Sequence, residues 1–305
     1  MRWTPAGELV FVWWNTSLSP PIPKRKAGAA ELEFVVKLVR ELYEQTEFDV
    51  LALGEVCTAD LSAIVAGMGA PHLSVHDATD RESKPMFDTA VIYDERRLCF
   101  EGNRSIQDRF ARQTLKTGEV VALRSTLTNQ PFQLVVSHWP SRITAQELDS
   151  VRMELGTSLR RSLQGMSEDG ASPYTILMGD YNDDPFSRSL AHHLLATRDR
   201  GLARRRGEYF YNPFWKQIGE SHDDLHEDDN GICGTHFYSR GRDSRWFTYD
   251  QMMFSSAFLS NQGMVLRERE TGILAPPELR SKLLATREIF DHLPVLGTVE
   301  LRVQK

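Results

Sequence analysis

The stretch Ile176-Leu177-Met178-Gly179-Asp180-Tyr181-Asn182-Asp183-Asp184-Pro185 stops a short apolar run at a glycine and then presents an aspartate and an asparagine two residues apart. Residues i and i+2 at a strand terminus point the same way. Asp180 can therefore approach a metal or an attacking water while the Asn182 amide binds a phosphoryl oxygen, which is a pairing suited to phosphoester hydrolysis. Gly, Asp and Asn are also ordinary turn residues. The turn needs support from elsewhere in the chain before it reads as a site.

Five more segments give that support, each joining an apolar run to a residue suited to a metal, a phosphate or a proton. They are Val10-Phe11-Val12-Trp13-Trp14-Asn15, Val50-Leu51-Ala52-Leu53-Gly54-Glu55, Leu134-Val135-Val136-Ser137-His138-Trp139-Pro140-Ser141-Arg142, Trp246-Phe247-Thr248-Tyr249-Asp250-Gln251-Met252-Met253 and Phe290-Asp291-His292-Leu293-Pro294-Val295. In order and content the six segments resemble the motifs of the endonuclease/exonuclease/phosphatase superfamily, and the likeness runs from Trp14 to Val295. The resemblance implies an α/β four-layer sandwich, with two face-to-face mixed β-sheets flanked by helices. It also implies that the polar strand ends gather at one edge.

Cleaving a phosphodiester requires neutralising charge on the phosphoryl oxygens, activating water and protonating a leaving alkoxide. Glu55 ends an otherwise apolar strand with a hard carboxylate, a donor that selects Mg²⁺ or Mn²⁺ over thiolate-loving metals. The resemblance makes Glu55 the metal-binding glutamate, Asn15 the asparagine supporting the metal and phosphate side, and Asp291 an aspartate near the metal. A histidine acts as base near neutral pH only when its orientation and protonation are controlled. In the family an aspartate does this, which carries over to Asp250 orienting His292. By the same resemblance to deoxyribonuclease-like members, His138 lies beside the scissile phosphate and protonates the leaving group or stabilises the transition state. Arg142 follows on the exit loop, where a guanidinium can hold a phosphate bidentately. Two positions depart from the family pattern: Phe290 replaces a small residue, and Tyr181 replaces the common phenylalanine.

Periodicity supplies the elements that position these groups. Residues 29–45 place Leu32, Val35, Val36, Val39 and Leu42 on an amphipathic helical stripe, and residues 145–163 repeat the pattern. Residues 185–196 predict a shorter helix with proline in its first turn. Strand-like runs fall at residues 88–93, 120–127, 132–137, 174–178, 247–254 and 295–303. Residues 16–27 read as a loop. So does the region 217–234, whose Ser221-His222-Asp223-Asp224-Leu225-His226-Glu227-Asp228-Asp229 is taken as an acidic solvated segment.

A chain of 305 residues with 41% hydrophobic content can bury one large core, and motifs at both ends favour a single domain over residues 1–305. No apolar run approaches the roughly 20 residues needed to cross a bilayer, and the N-terminus lacks the pattern of a secretory signal. Cys57, Cys99 and Cys233 have no metal-ligand spacing and read as reduced thiols of a cytoplasmic protein. The net charge of −6 does not indicate a general nucleic-acid coat. Basic residues nevertheless cluster locally, and Arg204-Arg205-Arg206, between Gly201 and Gly207, is the best candidate to meet an anionic polymer. The expected activity is a metal-dependent nuclease on DNA or RNA. The alternative is a phosphatase or phosphodiesterase on inositol phosphates, nucleotides or sphingolipids, and a catalytically silent binding module comes third.

Overall fold

The computed structural model describes residues 3–20, 27–80, 88–111, 113–141, 149–219, 232–285 and 288–304. Along β1 (Trp3–Asn15) the side chains alternate, so that Phe11 and Trp13 enter one core while Val12 and Trp14 enter another. A strand buried on both faces requires a covering layer on each side. The chain continues through α1 (Ala29–Thr46), β2 (Val50–Gly54), α2 (Thr58–Met68), β3 (Leu73–Asp77) and β4 (Ala90–Asp94). A long hairpin of β5 (Leu98–Phe110) and β6 (Gln113–Ser125) leads to β7 (Pro131–His138), α3 (Asp149–Glu168) and β8 (Thr175–Asp180). Next come β9 (Ala196–Thr197), α4 (Arg200–Arg205), β10 (Phe210–Tyr211), β11 (His236–Phe237), β12 (Trp246–Phe247) and β13 (Asp250–Phe254). The last elements are β14 (Met264–Leu266), β15 (Gly272–Ile273), α5 (Pro277–Leu284) and β16 (Val295–Gln304).

These strands build two seven-stranded mixed sheets. The first has the order β14-β16-β1-β2-β4-β3 with β15 also on β16, and the second runs β5-β6-β7-β8-β13-β10-β9. Phe11, Trp13, Val50 and Ala52 of the first sheet meet Leu134, Val136, Ile176, Met178 and Phe254 of the second in a shared core. The Phe11 and Phe132 rings meet edge to face across it, with centroids 5.7 Å apart. On the outer face of the first sheet, Val35, Leu38, Val39 and Leu42 of α1 and Leu61 and Ile64 of α2 cover Val12, Trp14, Leu51 and Leu53. On the outer face of the second, Leu155, Leu159 and Leu163 of α3 cover Val135 and Leu177. The result is the expected four layers. Each large apolar side chain buried there stabilises the fold by about 1.5–3 kcal/mol.

Local structure departs from the sequence reading in several places. Residues 185–196 form turns and then a π-helix at Ser189–Leu194, in place of a helix opening on Pro185. Packing against α3 is the physical reason: a Cβ at Gly156 would lie 2.2 Å from the Ser189 carbonyl oxygen, so only glycine admits this approach. The helix expected over 145–163 is observed as Asp149–Glu168, and residues 145–148 lie outside the described residues. The expected strand 247–254 is broken at Thr248 and Tyr249, whose backbones bond instead to the turn after β8, at Asp184 and Tyr181. The sequence reading omits α2, α4 and α5 and the strands β3, β5, β9, β10, β11, β14 and β15. β5 is largely polar and exposed, so it lacks the apolar period that marks a strand.

Candidate active site

Register alone brings three of the expected residues into one row. β7 and β8 are parallel with His138 opposite Asp180, and β8 and β13 are antiparallel with Asp180 opposite Asp250. Neighbouring strands lie about 4.8 Å apart, so these side chains share one end of the second sheet. The first sheet delivers Asn15 at the end of β1, paired with Gly54, and Glu55 follows at the end of β2. The two rims meet directly. Trp13 Nε1 donates to Asp250 Oδ1 at 2.7 Å, and Asn15 Nδ2 donates to Asp180 Oδ2 at 3.3 Å.

Asp180 is the hub of the cluster and is only 1% exposed. Its Oδ1 accepts from the Asn182 backbone N–H at 2.7 Å, and its Oδ2 accepts from the Asn182 side-chain amide at 3.0 Å. That amide also donates to the Trp139 carbonyl at 2.9 Å, so both its hydrogens are engaged within the protein. In this arrangement the amide orients Asp180. Gly179 permits the approach: its φ is +153°, and a Cβ there would lie 1.9 Å from the Ser137 carbonyl oxygen.

Two histidine–aspartate pairs flank Asp180. His292 Nδ1 lies 2.7 Å from Asp250 Oδ2, and its Nε2 lies 3.7 Å from Asp180 Oδ2. On the other side, His138 Nδ1 lies 2.8 Å from Asp88 Oδ2, while its Nε2 lies 3.7 Å from Asp180 Oδ2 and 3.9 Å from Glu55 Oε1. In each pair the aspartate takes Nδ1 and leaves Nε2 directed toward the cluster. Burial disfavours the charged imidazoles, but the surrounding carboxylates outweigh it. His138 is pushed up to about 10, chiefly by Asp88, and His292 is raised well above its usual value, chiefly by Asp250. Asp180 moves in the opposite sense, toward the neutral form, because burial and the Asp250 charge raise it against the pull of both imidazoles.

Glu55 carries the strongest sign of an unmet counter-charge. Its carboxyl is pushed up to about 7 by burial, with Asp291 and Asp88 adding repulsion against the attraction of His138 and His292. It is also held at φ +53°, and two other residues at the strand ends, Ser17 and Asn182, have positive φ as well. Backbone strain of this kind persists where the surrounding structure over-determines it, commonly at functional sites. Asp291 is more open. Desolvation would raise it, but bonds to His236 and Ser17 and the charge of His292 hold it down at about 2. A cluster with more carboxylates than it keeps ionised, made of hard oxygen donors, fits a divalent cation. Glu55, Asp291 and the Asn15 carbonyl oxygen are the donors expected for it. Two other triads, Asp180-Asp250-His292 and His236-Asp291-His292, each hold their ligand atoms within 4.8 Å of one another.

Two members of the cluster escaped the sequence reading. Asp88 precedes β4, which runs antiparallel to β2, so its site end is its beginning. His236 forms a backbone bridge with His292, stacks on Tyr249 at 5.0 Å and lies 3.8 Å from Asp291. A search for acids at the start as well as the end of apolar runs would have found Asp88 in Asp88-Thr89-Ala90-Val91-Ile92.

The arginines are placed differently from expectation. Arg142 and the segment Ser221 to Asp229 lie outside the described residues. Arg204 and Arg205 form the last turn of α4 and Arg206 caps it, so the triplet closes a helix and is not a free loop. Gly207 packs near Ser256, and Tyr211 pairs with Phe254, both at the end of β13 opposite Asp250. Four residues of strand separate the two ends by about 13 Å. The structure therefore does not bring Arg204, Arg205 and Arg206 to the cluster; Arg206 instead pairs with Glu208 at 2.6 Å.

A two-sheet sandwich that gathers carboxylates and histidine–aspartate pairs at one end defines a phosphoric-ester hydrolase class. The sequence profile of the Endonuclease/Exonuclease/phosphatase family matches residues 71–282, and the chain belongs to that family. Its members are generally dependent on divalent metals. No curated protein sequence matches the chain. Among solved structures, the human Nocturnin catalytic domain with bound sulfate superposes with a TM-score of 0.62 at 13% identity, covering 98% of this chain and 97% of that one. D. rerio TDP2 complexed with single strand DNA product gives 0.61 at 16% identity, covering 96% and 98%. A Bacteroides thetaiotaomicron mannosyl-6-phosphatase gives 0.60 at 12% identity, covering 97% and 100%. At these identities the likeness concerns the fold. Among the described residues no helix is long and apolar enough to cross a membrane.

Proposed function

We propose that the protein is a divalent-metal-dependent phosphodiesterase that hydrolyses nucleic acid. The observation that carries this reading is the convergence of His292-Asp250 and His138-Asp88 on Asp180, with Glu55 beside His138. Glu55, Asp291 and Asn15 would hold Mg²⁺ or Mn²⁺, which when bound supplies charge neutralisation for the phosphoryl group and acidifies water. Asp250 holds His292 Nδ1 and leaves Nε2 facing the cluster; once the proton that the surrounding carboxylates favour there is lost, Nε2 would accept one from the attacking water. Trp13 holds Asp250 in place from the opposite sheet. Asp180, aimed by Asn15 and Asn182, orients the water between the two imidazoles. His138 Nε2, kept protonated by Asp88, donates to a phosphoryl or leaving oxygen.

Residues 1–305 are read as one domain, supported by the pairing of β1 with β16 across the whole length of the sequence. We read the setting as cytoplasmic, in line with three cysteines that have no metal-ligand spacing and read as reduced thiols. Fold likeness to a sugar phosphatase keeps a small phosphoester as the second reading. One panel decides between them: single- and double-stranded DNA, RNA, an inositol polyphosphate, sphingomyelin and bis-nitrophenyl phosphate, each with Mg²⁺ or Mn²⁺ and with chelator. Chelator should abolish turnover, and full activity in chelator refutes metal dependence. Asp250→Ala and His292→Ala should each lower kcat by at least roughly 10²-fold, with the double variant losing far less than the product. Multiplicative losses would show that the pair does not act as a unit.

A further inference from the structure

The turn that carries Asp180 and Asn182 ends on Phe186, which is 55% exposed, more than any other large apolar side chain among the described residues. Its exposure does not come from a loose loop. Asp183 accepts from Arg152 Nε at 2.9 Å and from Ser189, and Asp184 accepts from the Thr248 backbone at 2.8 Å. Pro185, next to Phe186, is buried. Four backbone steps of about 3.8 Å keep the Phe186 Cα within roughly 15 Å of Asn182.

Trp215 stands beside Phe186, with ring centroids 6.2 Å apart and planes tilted by 56°. The exposed Arg198 lays its guanidinium 4.9 Å from the Trp215 ring centre. One side chain ties this group to the catalytic row. Gln251, adjacent to Asp250, donates from Nε2 to the Asp183 carbonyl at 2.6 Å, and its Oε1 accepts from Asn212 Nδ2 at 2.7 Å. Asn212 in turn accepts from the Phe214 N–H at 2.9 Å and opens the turn Pro213–Gln217 that carries Trp215. The bracket fixes both rings relative to Asp250. Among the cationic candidates of residues 198–206, Arg198 alone stacks on this rim, because α4 carries Arg204, Arg205 and Arg206 to the far end.

A rigid, exposed ring beside a stacked guanidinium, within a few nucleotides of a phosphoester site, matches how single-stranded nucleic acid is held: bases stack on aromatics and cations track the backbone. A phosphorylated sugar has no π-face to offer such a surface, and in a duplex the base faces are already stacked. We propose that Phe186, Trp215 and Arg198 form a stacking subsite for a base flanking the scissile phosphate, which directs the enzyme to single-stranded substrate. The assignment rests on the nuclease reading above.

The test compares wild type, Phe186→Ala, Arg198→Ala and Trp215→Phe on a single-stranded oligonucleotide and on an oligomer of the same length lacking the bases that flank the cleaved phosphate. With the full oligonucleotide, Phe186→Ala should lower kcat/KM by about 5- to 150-fold, mainly through KM. Arg198→Ala should show a smaller loss in the same direction, and Trp215→Phe, which keeps a ring, should retain most of the activity. Removing the flanking bases should cost the wild type a similar factor and cancel the effect of Phe186→Ala. If the wild type cleaves both oligomers and Phe186→Ala follows it on each, the subsite is overturned and the nuclease reading stands. If the wild type hydrolyses bis-nitrophenyl phosphate but neither oligomer, both readings fall together.

Discussion

Replacing Glu55 by glutamine should stabilise the metal-free protein while destroying its activity. The Glu55 carboxyl is pushed from 4.5 up to about 7 by burial and by the neighbouring Asp291 and Asp88 charges. When the folded-state value lies above the unfolded one, the unfolded chain releases its proton first, so stability falls as pH rises between the two values. Below pH 4.5 the group costs nothing, and above pH 7 it costs its full amount. The gap between 4.5 and about 7, at ~1.36 kcal/mol for each tenfold change in proton affinity, puts that cost at about 3 kcal/mol. Glutamine keeps the shape and removes the charge. In chelator at about pH 8.5, urea unfolding should therefore show Glu55→Gln more stable than wild type by about 1–3 kcal/mol, with the difference vanishing near pH 4.5. Added Mg²⁺ or Mn²⁺ should stabilise the wild type, by about 2.7 kcal/mol at a hundredfold excess over Kd, and the variant far less. Phosphodiester hydrolysis by the variant should be lost throughout. A variant no more stable than wild type at the higher pH, or one whose difference ignores pH, would refute the reasoning that Glu55 is held ready for a cation.

Asp88→Asn should lower the titration of His138, which Asp88 holds up near 10, and should reduce kcat by roughly 10²-fold. Combined with His138→Ala it should add little further, whereas full activity in Asp88→Asn would dismiss the second pair. Histidine NMR titration reads the shift directly. Replacing Arg204, Arg205 and Arg206 together by alanine should leave cleavage unchanged, because the triplet lies at the far end of β13. The salt dependence of single-strand binding should also be unchanged, whereas a slope flattened by about 0.7 for each lost phosphate contact would place polymer on that end.

Much of the site was legible because its residues obey a local rule. A strand that is apolar on both faces, such as Leu51, Ala52 and Leu53 in β2, has nowhere to put a carboxylate except at its end, and Glu55 stands there. The same rule marks Asn15, His138 and Asp180 at the ends of β1, β7 and β8. It fails for Asp88, because strand direction is a property of the sheet and not of the segment; β4 reaches the rim with its first residues. What the rule leaves open for Asn182 is its partner, the Trp139 carbonyl of a neighbouring loop, to which its amide donates.

Composition and periodicity sufficed for the layered α/β class, since burial pattern is written residue by residue, and the resemblance carried by the six segments pointed to the family and the expected cluster. Tertiary structure alone gave His138 its aspartate, because Asp88 and His138 are fifty positions apart, whereas the pairing of Asp250 with His292, forty-two positions apart, came from the resemblance. It also separated Arg198 from Arg204, Arg205 and Arg206, which adjoin in sequence but face opposite ends of the sandwich once α4 turns the chain back. Side-chain chemistry is local. Which side chains can act together depends on strand register and direction, which arise only when distant segments pair.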